Sequence, residues 1–588
     1  MGGASSTSTS TSTSTSTSTS TPYIRAHSWF KKHPVAKSLR ADLGLESPSY
    51  FCSCSFLVHL AVIRGVRYNR CQNYFRLRRF RDRKRQLVMT TPFAPSLPAP
   101  AAAPHLWSRR QILARTGCGF GMLGLTGLLQ QQGLLQAAED VGAGRMLNPL
   151  AARPSHFPAK AKRVIWIFIN GGPSPVDTWN YRPELTRWDG KTIREFDSGF
   201  EDTTGFFRNA VGNLMQSPFR FEPQGECGRM VPEIFPYLGR HVDRMAIIQS
   251  GYTESNNHSP ALFAINTGMA RMGFPCVGSW VTYGLGSESE NLPGFVVMSD
   301  PKGRGLPKGH AANWSAGFLP GVYQGTWVKP SGEPIDNLVR PAELTADSQR
   351  GGLDLLKQLN GLHQAQHAAD TELSARIESF ELAWRMQSSA PEALDLSAET
   401  KEMQSLYGIG DEQCDHFARQ CLTARRLVER GVRFVQIYSG GMENQRSWDG
   451  HNDIEGNHRQ FAGETDKPVA ALLTDMAASG LLEETLVVWC GEFGRLPIAQ
   501  TGGKPGRDHN PHHLVCWLAG GGVRGGVTYG SSDEIGYKSA DNRVHLNDLH
   551  ATILHLLGLD HEQLTYRYNG RRFRLTDVAG TVIRDILS

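Results

Sequence analysis

Apolar positions along the chain gather into short runs, and each run empties into a polar, glycine-containing loop. Three of these organise the sequence. Arg163-Val164-Ile165-Trp166-Ile167-Phe168-Ile169 leads into Asn170-Gly171-Gly172-Pro173-Ser174-Pro175-Val176-Asp177. Val432-Arg433-Phe434-Val435-Gln436-Ile437-Tyr438 leads into Ser439-Gly440-Gly441 and then Trp448-Asp449-Gly450-His451-Asn452-Asp453. Thr485-Leu486-Val487-Val488-Trp489-Cys490 leads into Gly491-Glu492-Phe493-Gly494-Arg495, and onward to Gly506-Arg507-Asp508-His509-Asn510-Pro511-His512-His513. Short, nearly unbroken apolar runs predict strands buried on both faces, as in a parallel sheet. Sites in open α/β sheets form beyond the carboxyl ends of the strands. Three such ends carrying Asp, His, Ser and Gly therefore predict one shared site.

The remaining pattern fills in a layered α/β sandwich with a mostly parallel central sheet and a helical cover. Further strands are predicted at Arg244 to Gln249, Gly294 to Met298 and Leu514 to Leu518. Val231 to His241 reads as a short helix, and Ala261 to Thr267 as another, closed by Gly268. Residues 301–341 are rich in Gly and Pro and predict a long irregular excursion. Residues 344–430 predict a helical insertion. Leu353, Leu356, Leu359 and Leu362 recur at intervals of three, Leu373, Ile377 and Phe380 continue the spacing, and Phe417, Cys421, Ala424, Leu427 and Val428 share a face that ends at Gly431. Helices are also predicted over 459–479 and 547–557, the second stopped by Gly558.

Charge divides the chain. The formal net charge is +6, but residues 1–88 hold 15 Lys and Arg against 3 Asp and Glu, so the rest is net acidic. That excludes an electrostatic nucleic-acid binder from the main body. Residues 4–21 are a Ser/Thr repeat and Arg64 to Arg85 is an arginine-rich run; neither can build a core. Residues 1–88 read as a leader upstream of a start at Met89. Residues 89–145 read as an export signal and linker: Ser108-Arg109-Arg110-Gln111-Ile112-Leu113 precedes a mildly apolar, glycine-rich stretch, which is the twin-arginine pattern. The stretch is too short for a stable membrane span. Residues 146–588 form the α/β domain. The expected location is periplasmic or extracellular, with the twin-arginine export machinery as partner. Ten cysteines in 588 residues, with no CxxC pair, exclude a disulfide framework and a thiolate zinc site.

The candidate chemistry lies in the loops. Asp449 and His451 can reach one cation if their loop curls, and Asp508 and His509 converge if they sit in a turn. Carboxylate with imidazole suits a divalent metal such as zinc, manganese or iron. The competing reading is polar loop residues bonded to backbone. Arg495 and Arg507 have the planar fork suited to phosphate, sulfate or carboxylate. Trp314 and Trp327 offer surfaces for a sulfated glycan, or else pack against the sheet.

GGPSPVDTW, NNHSPALFAINTG, NWSAGFLPGVYQGT, WDGHND, GEFGRLP, GRDHNP and YNGRRFRLTDVAG, in this order, resemble the domain-of-unknown-function 1501 family over residues 108–588. The resemblance implies an alkaline-phosphatase-like fold related to sulfatases, and a metal-dependent hydrolase of phosphate or sulfate esters acting on a small-molecule or glycan ester. The sulfatase nucleophile box is Cys-x-Pro-x-Arg; here His258 stands in the Cys position and Leu262 in the Arg position, so a formylglycine mechanism is excluded. The resemblance puts His258 or Ser259 at the substrate. It puts a metal-binding Asp after the first strand, where this chain has Asn170, with Asp177 further on. The superfamily's later Asp-His pair falls at Gly491-Glu492. Asp449, His451, Asp508, His509 and Asp177 are therefore the expected metal ligands, and Arg507 and Arg495 the expected anion holders. The alternative is a non-catalytic exported binding protein that keeps the fold.

Overall fold

A computed structural model describes residues 148–200, 212–329, 333–336, 338–366, 371–500 and 503–588. The Ser/Thr repeat, the arginine-rich run, Met89 and the Arg109-Arg110 pair lie outside these residues.

The strands are β1 (Arg163–Ile169), β2 (Phe221–Gln224), β3 (Arg229–Pro232), β4 (Met245–Tyr252), β5 (Phe295–Met298), β6 (Thr326–Val328), β7 (Phe434–Ser439), β8 (Thr485–Cys490), β9 (Gly494–Gln500), β10 (Gly506–Asn510), β11 (Leu514–Ala519), β12 (Val527–Tyr529), β13 (Val544–His545), β14 (Tyr566–Tyr568) and β15 (Arg571–Phe573). Nine of them form one sheet in the order β12-β4-β11-β8-β1-β7-β5-β6, with β13 also on β4. β1 lies between β7 and β8 and is parallel to both, with Val164 level with Phe434 and Leu486. β11 alone runs backwards, antiparallel to β8 and β4. β4 therefore points the same way as β1, β7 and β8, and all four carboxyl ends open on one edge. Val164 to Ile169, and the whole of β7 and β8, are buried. That is what unbroken apolar runs encode in a covered sheet.

The α-helices longer than a single turn are α1 (His258–Thr267), α2 (Val277–Leu285), α3 (Ala346–Gln366), α4 (Thr371–Leu394), α5 (Lys401–Tyr407), α6 (Asp415–Glu429), α7 (Ile454–Ala478) and α8 (Leu546–Leu556). Asn257 caps α1 through its side chain, and Gly268 closes it at φ 74°. Asp453 caps α7 in the same way. α6 packs on β7 and α7 with Phe417, Cys421, Ala424, Leu427 and Val428 buried. α3 is peripheral: Leu353, Leu356, Leu359 and Leu362 are only half-buried. Described helices include none long and apolar enough to cross a membrane.

Two expectations change, and one of two open readings is decided. Val231 and Pro232 belong to β3, which pairs with β2, and the helical turn begins only at Leu238. β10 is a strand where a polar loop is expected. It pairs antiparallel with β9 as an arm beside the main sheet, and Leu496 and Ile498 of β9 pack on Val176, Leu185 and Leu214. β10 is polar because its Arg507 and His509 turn inward to Asp177 and Asp449. Trp314 is buried at 2% exposure, and Trp327 donates its Nε1–H to Ser299 Oγ at 3.0 Å. Trp314 therefore packs within the fold and Trp327 is half-buried, in keeping with the packing reading of the pair.

Candidate metal centre

Four loops meet at the common edge, one from each of β1, β4, β7 and β8. Gly171 ties them together. Its φ is 108°, and a Cβ there would lie 2.6 Å from Asp449 N and from Ser447 Oγ. Only glycine tolerates both the angle and the approach. Its N–H donates to Glu492 Oε1 at 2.9 Å, and its carbonyl accepts from Arg495 Nη2. Arg495 Nε reaches Gly172 O at 2.9 Å.

His258, Asp449, His451 and His509 converge, with one ligand atom of each within 4.8 Å of all the others. Asp449 Oδ1 lies 3.0 Å from His451 Nε2 and 3.2 Å from His509 Nε2. His451 Nε2 and His509 Nε2 are 2.9 Å apart. Asp449 Oδ2 is 3.2 Å from His258 Nε2. That nitrogen is buried and lacks the alignment of a hydrogen bond with any partner.

The other ring nitrogens are all spoken for. His258 Nδ1 donates to Glu492 Oε1 at 2.8 Å, and His509 Nδ1 to the carbonyl of Asn256 at 2.7 Å. A carboxylate and a carbonyl can only accept, so both Nδ1 atoms carry the proton. His451 Nδ1 faces Gln500 Oε1 at 2.8 Å. In the neutral rings all three Nε2 atoms are then bare lone pairs aimed at one carboxylate. Lone pairs held this close repel unless a cation or a proton lies among them. Asp449 Oδ1, His451 Nε2 and His509 Nε2 form a triangle with edges of 2.9 to 3.2 Å, against the roughly 3.3 Å edge of a tetrahedral zinc site, and His258 Nε2 approaches from the side of Oδ2 at 3.2 Å. The donor set fits a divalent metal of the zinc, manganese or iron kind.

Burial would raise Asp449, but the Arg495 charge 2.5 Å away holds it far below the usual carboxylate range. Burial and the Arg495 charge lower His509 to about 3. Burial opposes protonation of His258, but the neighbouring carboxylates of Asp449 and Glu492 outweigh it and raise the ring to about 9. The open side is at His451, 22% exposed, and Asp508, 35% exposed.

The expected residues separate into two groups. Asp449, His451 and His509 meet as expected. Asp508 stands beside them, its Oδ1 3.7 Å from His451 Nδ1, and accepts the His509 N–H at 2.7 Å. Asp177 and Arg507 are elsewhere and bind each other. Arg507 Nε lies 2.6 Å from Asp177 Oδ2, and both side chains are fully buried. Burial would raise Asp177, but the Arg507 charge and hydrogen bond lower it. Arg495 is also fully buried and holds Asp449. Ser259, half-buried at the second position of α1, adjoins His258. Asn170 donates to Gly441 O and leaves its Oδ1 without a partner. Sequence reasoning missed Glu492, Asn256 and Gln500 as partners of the rings. An acid directly after a strand buried on both faces was the available signal for Glu492.

No curated protein matches the chain. Among solved structures it is similar to the lipoteichoic acid synthase LtaP from Listeria monocytogenes, at 9% identity and a TM-score of 0.31, over 74% of this chain and 80% of that one. It is similar to the PsFucS1 sulfatase from Pseudoalteromonas sp., at 12% identity and a TM-score of 0.30, over 68% of each chain. It is similar to alkaline phosphatase from the Antarctic bacterium TAB5, at 8% identity and a TM-score of 0.29, over 68% of this chain and 99% of that one. Residues 161–587, which hold the sheet and all four converging side chains, match the family described as Protein of unknown function (DUF1501), and the chain belongs to that family.

Proposed function

We propose that the protein is an exported, metal-dependent hydrolase of phosphate or sulfate esters that works without a formylglycine cysteine. One observation carries the reading: three histidines spend Nδ1 elsewhere and aim Nε2 at a single buried carboxylate. A divalent cation there would polarise an ester oxygen and make water a stronger nucleophile near neutral pH. Asp449 supplies the negative charge, and Arg495 fixes its orientation. His258 is committed to the centre, which leaves Ser259 as the group facing the substrate. His451 and Asp508 form the mouth. Four protein ligands would leave a tetrahedral ion no open position, so turnover would need an expanded coordination. The ester class, small-molecule or glycan, is supported by the order of motifs in the sequence. Export is supported by Arg109 and Arg110 and engages the twin-arginine machinery.

A second reading, a non-catalytic exported binding protein, is favoured by one feature. Arg495 and Arg507, the arginines expected to hold an anion, are both fully buried and bonded within the protein. Metal analysis with assays on p-nitrophenyl phosphate and p-nitrophenyl sulfate separates the two. Wild-type protein should carry a divalent metal, and His509→Ala should lose more than the roughly 10–100-fold in affinity typical of an outer partner. Protein without metal refutes the hydrolase. Metal with no turnover of either ester selects the binding protein.

A further inference from the structure

Glu492 has no room to meet solvent and no arginine or lysine partner among the described residues. Its side chain is 0% exposed. A buried carboxylate is costly unless its oxygens are occupied. Here Oε1 accepts the Gly171 N–H at 2.9 Å and the His258 Nδ1–H at 2.8 Å, and Oε2 lies 3.2 Å from the same Gly171 nitrogen. The acid is thus held by backbone at one end and holds an imidazole at the other.

We propose that Glu492 is the positioning residue of the metal centre: it fixes the tautomer and the ring plane of His258, so that the buried Nε2 lone pair faces Asp449, His451 and His509. The inference rests on the metal reading above. A histidine offers a metal only the nitrogen that carries no proton, and the partner of the other nitrogen decides which that is. Glu492 can only accept, so it pins the proton on Nδ1. The acid's own anchor is Gly171, whose close approach to Asp449 N permits no side chain. One backbone amide thereby registers the β8 loop, the β4 loop and the β7 loop against each other. His509 and His451 are held by a neutral carbonyl and a neutral amide. Glu492 is the only charged group within hydrogen-bond distance of an Nδ1 among the three rings.

The test is a double-mutant cycle on metal affinity in the full chain. Zinc and manganese are titrated, each against a competing chelator, into wild type, Glu492→Gln, His258→Ala and the double variant. Glu492→Gln should weaken binding about 10–100-fold. In the His258→Ala background it should add nothing, because the residue acts only through that ring. Equal losses in both backgrounds, or wild-type affinity in Glu492→Gln, overturn the proposal while leaving the metal centre standing. Wild type that binds neither ion overturns the metal reading itself and this inference with it. Should Glu492→Gln fail to fold, ring nitrogen NMR of metal-loaded wild type labelled in histidine decides. His258 protonated at Nδ1 and bound through Nε2 supports the assignment; the reverse overturns it.

Discussion

Asp177→Asn should destabilise the fold strongly and leave metal content unchanged. The geometry sets the size. Arg507 grips Asp177 with two nitrogens, Nε to Oδ2 at 2.6 Å and Nη2 to Oδ1 at 3.1 Å, and neither side chain is exposed. Ser174 Oγ donates to Asp177 Oδ2 at 2.6 Å, while the carbonyls of Leu496, Met215 and Gln216 accept from the guanidinium. Removing one charge strands the other in a dry site, and breaking such a pair costs about 3–5 kcal/mol. Against a typical total of roughly 5–15 kcal/mol this is a large fraction. Arg507→Met should cost a similar amount. The double variant should cost well under the sum, since no stranded charge remains. Urea midpoints and slopes at pH 7 measure all three, with metal analysis alongside. The pair also has a pH signature. The folded pKa of Asp177 is depressed, so its contribution is present above the unfolded value of 3.8 and is lost as pH falls through the folded value. Single variants within about 1 kcal/mol of wild type would refute burial of the pair. Loss of metal in a folded Asp177→Asn protein would return Asp177 to the ligand set.

Two further outcomes are expected. Burial holds His550 near 4 and His513 near 3, against an ordinary 6.5, so the unfolded chain takes up protons that the folded chain refuses. Stability is then full above pH 6.5 and falls with acid by about 1.4 kcal/mol per pH unit for each ring. His550→Gln should flatten the slope of urea midpoint against pH between 6 and 4 by about one such increment, and an unaltered slope would contradict neutral burial. Replacing Arg109 and Arg110 by Lys should strand the protein in the cytoplasm by fractionation and immunoblot; unchanged export would remove the twin-arginine assignment.

The sheet was legible where burial is two-sided. The Arg163–Ile169 and Thr485–Cys490 runs are the observed strands residue for residue, because a covered parallel strand has no polar position to blur its ends. β10 was not legible. Gly-Arg-Asp-His-Asn reads as loop, yet it is a strand whose arginine is spent on Asp177. Residue type names a guanidinium but not the direction it faces, which is why both arginines were assigned to an anion. Asp449, His451 and His509 were visible as ligand-type residues beyond strands that a parallel sheet brings to one edge. His258 was singled out for the place it holds in a motif, and its commitment to the metal cluster became visible only once β4 was seen to point the same way. Glu492 carried a signal as an acid directly after a covered strand, but its partners, Gly171 and His258, lie across long sequence separations that no local pattern shows.

The central place of β1 has a consequence for synthesis. The strand is made early, but both of its neighbours, β7 and β8, come from residues 434–490. At about 5–20 residues per second, translation leaves β1 without partners for on the order of tens of seconds. During that interval Arg163-Val164-Ile165-Trp166-Ile167-Phe168-Ile169 presents two open edges and two apolar faces, which is the template for strand addition by another chain. The nascent protein is therefore most vulnerable in a part that is the least accessible once it is finished. Chains truncated before residue 434 should aggregate through β1, while the complete chain hides it on every side.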